Sequence, residues 1–137
     1  MSRPARILMV DDDDDFAAGI QLTLESRGYE FHRAATFPEG LALLAKARPH
    51  LIILDVVIGN KAEGFSFART LRTDASLSDF ASVPILTLTG MRSQGKFSFP
   101  EPPHQAVYTP ADEFLEKPVE PKVLLKTVAG LLGRKRS

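Results

Sequence analysis

Short apolar runs, too brief for helices, alternate along this chain with longer segments of helical periodicity, and that alternation constrains the fold more than any other feature. Repeated βα units of this kind build a parallel sheet covered by helices. Five units are readable. Ile7-Leu8-Met9-Val10 is the first strand, followed by an acidic run and a helix with Phe16, Ile20 and Leu24 on one face, closed by Gly28. Tyr29 to Ala34 reads as the second strand. Thr36 and Glu39 have capping-box spacing, Leu41, Leu44 and Ala45 supply an apolar face, and this helix should end near Pro49. Leu51-Ile52-Ile53-Leu54 is unbroken apolar sequence, suited to a strand covered on both faces, and Asp55 ends it.

The third helix should bury Phe65, Ala68 and Leu71, after a polar loop from Gly59 to Gly64. Pro84 to Leu88 forms the fourth strand, with proline at its first position. Glu113-Phe114-Leu115-Glu116 forms the fifth, and Pro121 starts a last helix with Val123, Leu124, Val128, Leu131 and Leu132 on its buried side, ended by Gly133. Between Met91 and Pro110 the chain carries Gly95, Pro100, Pro102, Pro103 and Pro110, and proline inside a helix costs about 3 kcal/mol or more. An irregular loop is therefore expected where a regular helix is due.

Open α/β sheets bind ligands at the carboxyl ends of their strands. Those ends carry Asp11-Asp12, Asp55, Thr89 and Lys117-Pro118. Three carboxylates gathered on one rim repel one another unless a cation compensates, and Mg²⁺ suits oxygen donors while keeping positions open for phosphate oxygens. A threonine hydroxyl and a lysine ammonium beside them can bind a phosphoryl group, so the expected chemistry is phosphoryl transfer to an aspartate.

Val10-Asp11-Asp12, Leu54-Asp55, Leu88-Thr89-Gly90 and Lys117-Pro118 resemble the fingerprint of response-regulator receiver domains over nearly the whole chain. The resemblance implies a flavodoxin-like, doubly wound, five-stranded parallel sheet of order 2-1-3-4-5, which is the order the family's chemotaxis regulator exemplifies. It implies Asp55 as the phosphorylated residue, and a Mg²⁺ site made by Asp12 and Asp55 directly, Asp11 through water and the Val57 carbonyl. Thr89 and Lys117 would bind the phosphoryl group, Gly90 would leave room for it, Phe114 would be the aromatic switch, and Lys117-Pro118 would be cis. The implied partners are a sensor histidine kinase or phosphotransfer protein upstream and an unnamed protein downstream. The implied role is signalling by a phosphorylated domain, not enzymatic turnover.

Two departures from the family pattern stand out: Gly59 where a proline is usual four residues after the acceptor, and a longer, proline-rich Thr89-to-Lys117 segment. If no regular helix forms there, the family's usual symmetric dimer face is altered and the loop itself becomes the candidate docking element.

The 137 residues fit one domain, with a core over about residues 5–133 and no output domain expected. With 17 basic and 17 acidic residues, no net charge favours nucleic acid, and no run is long and apolar enough for a membrane span. The absence of cysteine excludes disulfides and thiolate chemistry and agrees with a cytoplasmic location. Blander readings exist for single residues. Asp13, Asp14 and Asp15 suit a helix N-terminus, Asp55 alone could start an Asx turn, Phe114 could be plain core, and His32, His50 and His104 lack ligand spacing. Two other functions fit parts of the pattern. A haloacid-dehalogenase-like phosphatase would use Asp11 as nucleophile and Asp13 as acid/base, but a second acidic pair is missing after the fourth strand. An interaction module indifferent to phosphate would have no need of the full rim set.

Overall fold

The computed structural model describes residues 4–55, 64–89 and 113–133. Strands β1 (Arg6–Val10), β2 (Glu30–Ala34), β3 (Leu51–Asp55), β4 (Ile85–Thr89) and β5 (Glu113–Glu116) form one sheet in the order β2-β1-β3-β4-β5, every neighbouring pair parallel. Helices α1 (Asp14–Glu25), α2 (Phe37–Ala47), α3 (Gly64–Thr73) and α4 (Pro121–Leu132) connect or follow the strands, with a short 3₁₀ segment at Ala75–Phe80 between α3 and β4. The expected loop from Met91 to Pro110 lies outside the described residues, as do Val57 and Gly90.

Strand alternation sorts the core into two layers. Ile7, Met9, Leu51, Ile53, Leu86 and Leu88 meet Ala17, Ile20 and Leu24 of α1 and Leu124, Val128 and Leu131 of α4. Leu8, Val10, Ile52, Leu54 and Ile85 face Phe37 and Leu44 of α2 and Phe67, Ala68 and Leu71 of α3. This is the doubly wound arrangement, and it explains why β1 and β3 have no polar alternation: both faces are covered. Each fully buried leucine or isoleucine contributes about 1.5–3 kcal/mol.

Local signals set the helix ends. Thr36 Oγ1 accepts from Glu39 N (3.2 Å), while Glu39 Oε1 accepts from Ala35 N (2.8 Å), one residue before the cap position an ideal capping box would use. Gly28 adopts φ +84° in the turn between α1 and β2, a conformation glycine reaches without a Cβ clash. Three side chains depart from the expected faces. Val123 is 42% exposed, Ala45 is exposed while Ala47 is buried, and Leu132 is only partly buried. The rotation of a helix about its axis is fixed by docking on the sheet, and periodicity alone leaves it open by about one residue. Phe67, not singled out beforehand, is buried and lies 5.8 Å from Phe37, centroid to centroid.

Close packing of α2 makes one glycine necessary. A Cβ on Gly40 would lie 2.9 Å from Val10 Cγ2 and 3.3 Å from Phe67 Cε1. Valine has a stiff side chain and Val10 is fully buried, so the clash has no cheap relief. Gly40→Ala should lower stability by about 1–2 kcal/mol, since overpacking outweighs the helix-propensity gain of roughly 1 kcal/mol. Gly130→Ala, with nothing within 4 Å, should show the opposite sign, a gain of up to about 1 kcal/mol. Urea unfolding of the two variants checks both signs.

At the amino end of the sheet His50 ties β3 to β1. Its Nδ1 accepts from Arg6 N (2.9 Å) and its own N donates to Arg6 O (2.7 Å). Burial and the neighbouring Arg6 cation lower the His50 pKa against a weaker opposing pull from Glu30. The unfolded chain then binds the proton more readily than the folded one. The contribution of neutral His50 is complete above the ordinary value of 6.5 and is lost as pH falls below it. Wild type should therefore lose more stability between pH 7.5 and 5.5 than His50→Gln, and equal losses in urea titrations would refute this.

Candidate functional site

Register brings the polar strand ends together. Val10 pairs with Leu54, which sets Asp11, the residue after β1, beside Asp55 at the end of β3. Asp55 pairs with Leu88, and Thr89 at the end of β4 pairs with Glu116, directly before Lys117. Asp11 and Asp55 keep the parity of Ile7, Met9, Leu51 and Ile53, so they follow the sheet face that carries α1 and α4.

Carboxylate oxygens of Asp11, Asp12 and Asp55 all lie within 4.8 Å of one another. Asp11 is fully buried, Asp55 nearly so, and Asp12 is exposed. Burying like charges is costly, and Lys117 offsets it. Its Nζ stands 3.1 Å from Asp11 Oδ2 and 3.3 Å from Asp55 Oδ2. Burial alone would lower the Lys117 pKa, but the Asp55 and Asp11 charges outweigh it and hold the ammonium above its ordinary range. The Lys117-Pro118 peptide bond is cis.

Other groups fix the acidic turn in place. Asp11 N donates to Ala34 O (3.0 Å), and Asp13 N donates to Asp11 Oδ1 (2.9 Å). Asp13 Oδ1 accepts from Phe16 N (3.0 Å) as the cap of α1, with Asp14 and Asp15 in the first turn, where the helix dipole favours negative charge. A carboxylate committed to this cap is poorly disposed to be the acid/base that a phosphatase reading asks of Asp13. Two further residues meet the site in ways that the sequence pattern does not show. Arg33 on β2 donates from Nε (3.0 Å) and Nη2 (2.8 Å) to Asp11 O, and from Nη1 to Asp14 Oδ1 (2.7 Å). Phe16 places its ring centroid 4.3 Å from Lys117 Nζ. Arg33 shares its strand with Glu30 and His32, so nothing in the sequence set it apart, and nothing in the spacing linked Phe16 to a lysine about 100 positions away. Phe114 is partly buried on β5, opposite Thr87.

The set therefore comprises oxygen-only donors for a hard cation, a terminal strand carboxylate, and an ammonium bridging two of the three acids. Oxygen donors in this number fit Mg²⁺, which needs few protein ligands. No described helix is long and apolar enough to cross a membrane.

Known proteins match this chain in sequence and in fold. A family model described as the response regulator receiver domain matches residues 7–129. The chain is 33% identical over 130 residues to the DNA-binding dual master transcriptional regulator RpaA of Synechocystis, covering 94% of this chain and 49% of that protein. It is 31% identical to the response regulator Rre1 of the same organism, covering all of this chain and 55% of that one. The chain thus spans about half the length of these curated relatives. Among solved structures, the chemotaxis protein CheY4 of Vibrio cholerae is 34% identical with a TM-score of 0.77, over 93% of this chain and 98% of its own. A signal receiver domain from Bermanella marisrubri gives the same TM-score at 27% identity, over 96% and 100%. In sequence and in fold, this chain belongs to the response regulator receiver domain family of two-component signalling.

Proposed function

We propose that this single receiver domain accepts a phosphoryl group on Asp55 from the phosphohistidine of a sensor histidine kinase or a phosphotransfer protein, and passes the signal to a downstream protein by changing shape. The observation that carries this reading is the end of β3, where the Asp55 carboxylate meets the Lys117 ammonium at 3.3 Å within a cluster of three acids. A carboxylate oxygen of Asp55 attacks phosphorus, the P–N bond to the donor histidine breaks, and the released imidazole keeps the electron pair and takes up a proton. Lys117 supplies a charge-assisted contact to the transferred group, and Thr89 a hydroxyl donor. Asp12, Asp55 and the Val57 carbonyl would hold Mg²⁺, with Asp11 acting through water. When bound, the ion supplies positive charge for the equatorial phosphoryl oxygens. By the family resemblance, Gly90 would leave space for the group, and Phe114 with Thr89 would relay its arrival.

The domain is proposed to act in the cytoplasm, as a phosphorylated signalling protein with no turnover beyond its own phosphorylation and dephosphorylation, and without direct contact to nucleic acid. Mass spectrometry with acetyl phosphate and Mg²⁺ tests it: one added phosphoryl group is expected, and none when the metal is chelated. Turnover of a phosphate ester with no labelled protein would instead support phosphatase chemistry.

Asp12→Ala separates the metal from the acceptor. Asp12 is exposed, so its loss should leave the fold intact while removing one ligand and one charge. Mg²⁺ affinity should drop at least about tenfold, the loss typical of disturbing a metal site, with slower labelling at fixed Mg²⁺. A titration in which this variant binds Mg²⁺ as tightly as wild type would remove Asp12 from the site.

A further inference from the structure

Among the described residues, the Lys117 ammonium stands against two acids and one aromatic ring. Asp11 Oδ2 and Asp55 Oδ2 lie at 3.1 and 3.3 Å, and the face of the Phe16 ring closes a further side at 4.3 Å from the centroid. That distance is well inside the roughly 6 Å over which an aromatic quadrupole attracts a cation. We propose that Phe16 is a positioning residue for Lys117, holding the ammonium over the acceptor carboxylate; the functional half of this rests on the reading of Asp55 as phosphoryl acceptor.

The local backbone supports the assignment. A lysine side chain is a flexible stem, and two carboxylates alone let its head shift from one to the other. The ring is not free to shift with it. Phe16 N is bonded to the Asp13 carboxylate, and Asp13 N is bonded to the Asp11 carboxylate. Asp11 in turn receives the ammonium, so ring, turn and lysine close a circuit that starts and ends at one buried acid. Phe16 also packs against the core of α1, α4 and the sheet. A simple packing role would ask only for apolar volume, whereas positioning asks for an aromatic face.

That difference defines the experiment. Phe16→Leu and Phe16→Met keep apolar volume and lose the face, and Phe16→Tyr keeps it. Two readouts are taken on each: the NMR shift of the Lys117 ε-methylene protons, which a ring face moves upfield, and the labelling rate with acetyl phosphate at saturating Mg²⁺. The upfield shift should be present in wild type and Phe16→Tyr and lost in the two aliphatic variants. Labelling should fall about threefold to tenfold in Phe16→Leu and Phe16→Met and recover in Phe16→Tyr, as expected for a partly desolvated cation–π contact. An unchanged shift or rate in the aliphatic variants, or a Phe16→Tyr as slow as Phe16→Leu, overturns the assignment. If wild type shows the ring-dependent shift but takes no phosphoryl group, the positioning stands and the proposed acceptor role falls.

Discussion

Asp55→Asn should take up no phosphoryl group from acetyl phosphate and Mg²⁺ under conditions where wild type is labelled once. The amide has nearly the shape of the carboxylate but is neutral and a poor nucleophile, so the bond to phosphorus has no oxygen to form from. The same change should not harm the fold. At an effective dielectric of about 20, carboxylates within 4.8 Å of each other repel by at least about 3.5 kcal/mol, and the ammonium at 3.3 Å attracts Asp55 by about 5 kcal/mol. Relief of the repulsion from Asp11 and Asp12 thus offsets the lost attraction to Lys117, and solvent screens the part owed to exposed Asp12. Without divalent cations, Asp55→Asn should be at least as stable as wild type. Mass spectrometry reads the first effect and urea unfolding in chelator the second. Labelling of Asp55→Asn at the wild-type level would mean that another residue is the acceptor.

The contrast between those effects shows what was legible beforehand. The unbroken run Leu51–Leu54 reads as a central strand because water is excluded from both of its faces, and the first polar residue after it, Asp55, must then sit at the rim. The same logic reaches Asp11 after β1, whereas Lys117 follows the partly exposed edge strand β5 and was legible from its Lys-Pro pair. Pro121 at the start of α4 and Thr36 before α2 are local signals, readable because a cap needs only neighbours in sequence. What escaped depends on tertiary docking. The rotations that expose Ala45 and Val123 and bury Phe67 are set when a helix settles on the sheet. Arg33 reaches the Asp11 carbonyl only because β2 lies against β1, and Phe16 meets Lys117 only because α1 and the end of β5 share one side of the sheet. Sequence spacing contains neither fact.

Lys117→Met should produce the largest change in stability, and one that depends on metal. Methionine keeps most of the stem's volume and deletes the charge, leaving Asp11 and Asp55 buried beside each other without their shared cation. Removing one partner of a buried pair costs about 3–5 kcal/mol, and here one ammonium serves two acids. A cation bound by the same acids replaces part of what is lost, so added Mg²⁺ should stabilise Lys117→Met more than wild type, with an affinity at least as high, since a competing positive charge is gone. Labelling should still fall about tenfold to a hundredfold, the worth of a charged hydrogen bond to the phosphoryl group. The wild-type contribution has its own pH signature. Because the acids hold the Lys117 pKa above 10.5, its stabilisation is complete below that value and is lost only as pH rises through the higher folded one. Across neutral pH the ammonium stays charged, so the gap between wild type and Lys117→Met should be flat from pH 7 to 9. Unfolding curves in chelator and in Mg²⁺ decide the matter. A variant as stable as wild type in chelator would show that Lys117 does not offset the buried acids, and one labelled at the wild-type rate would remove it from the transfer step.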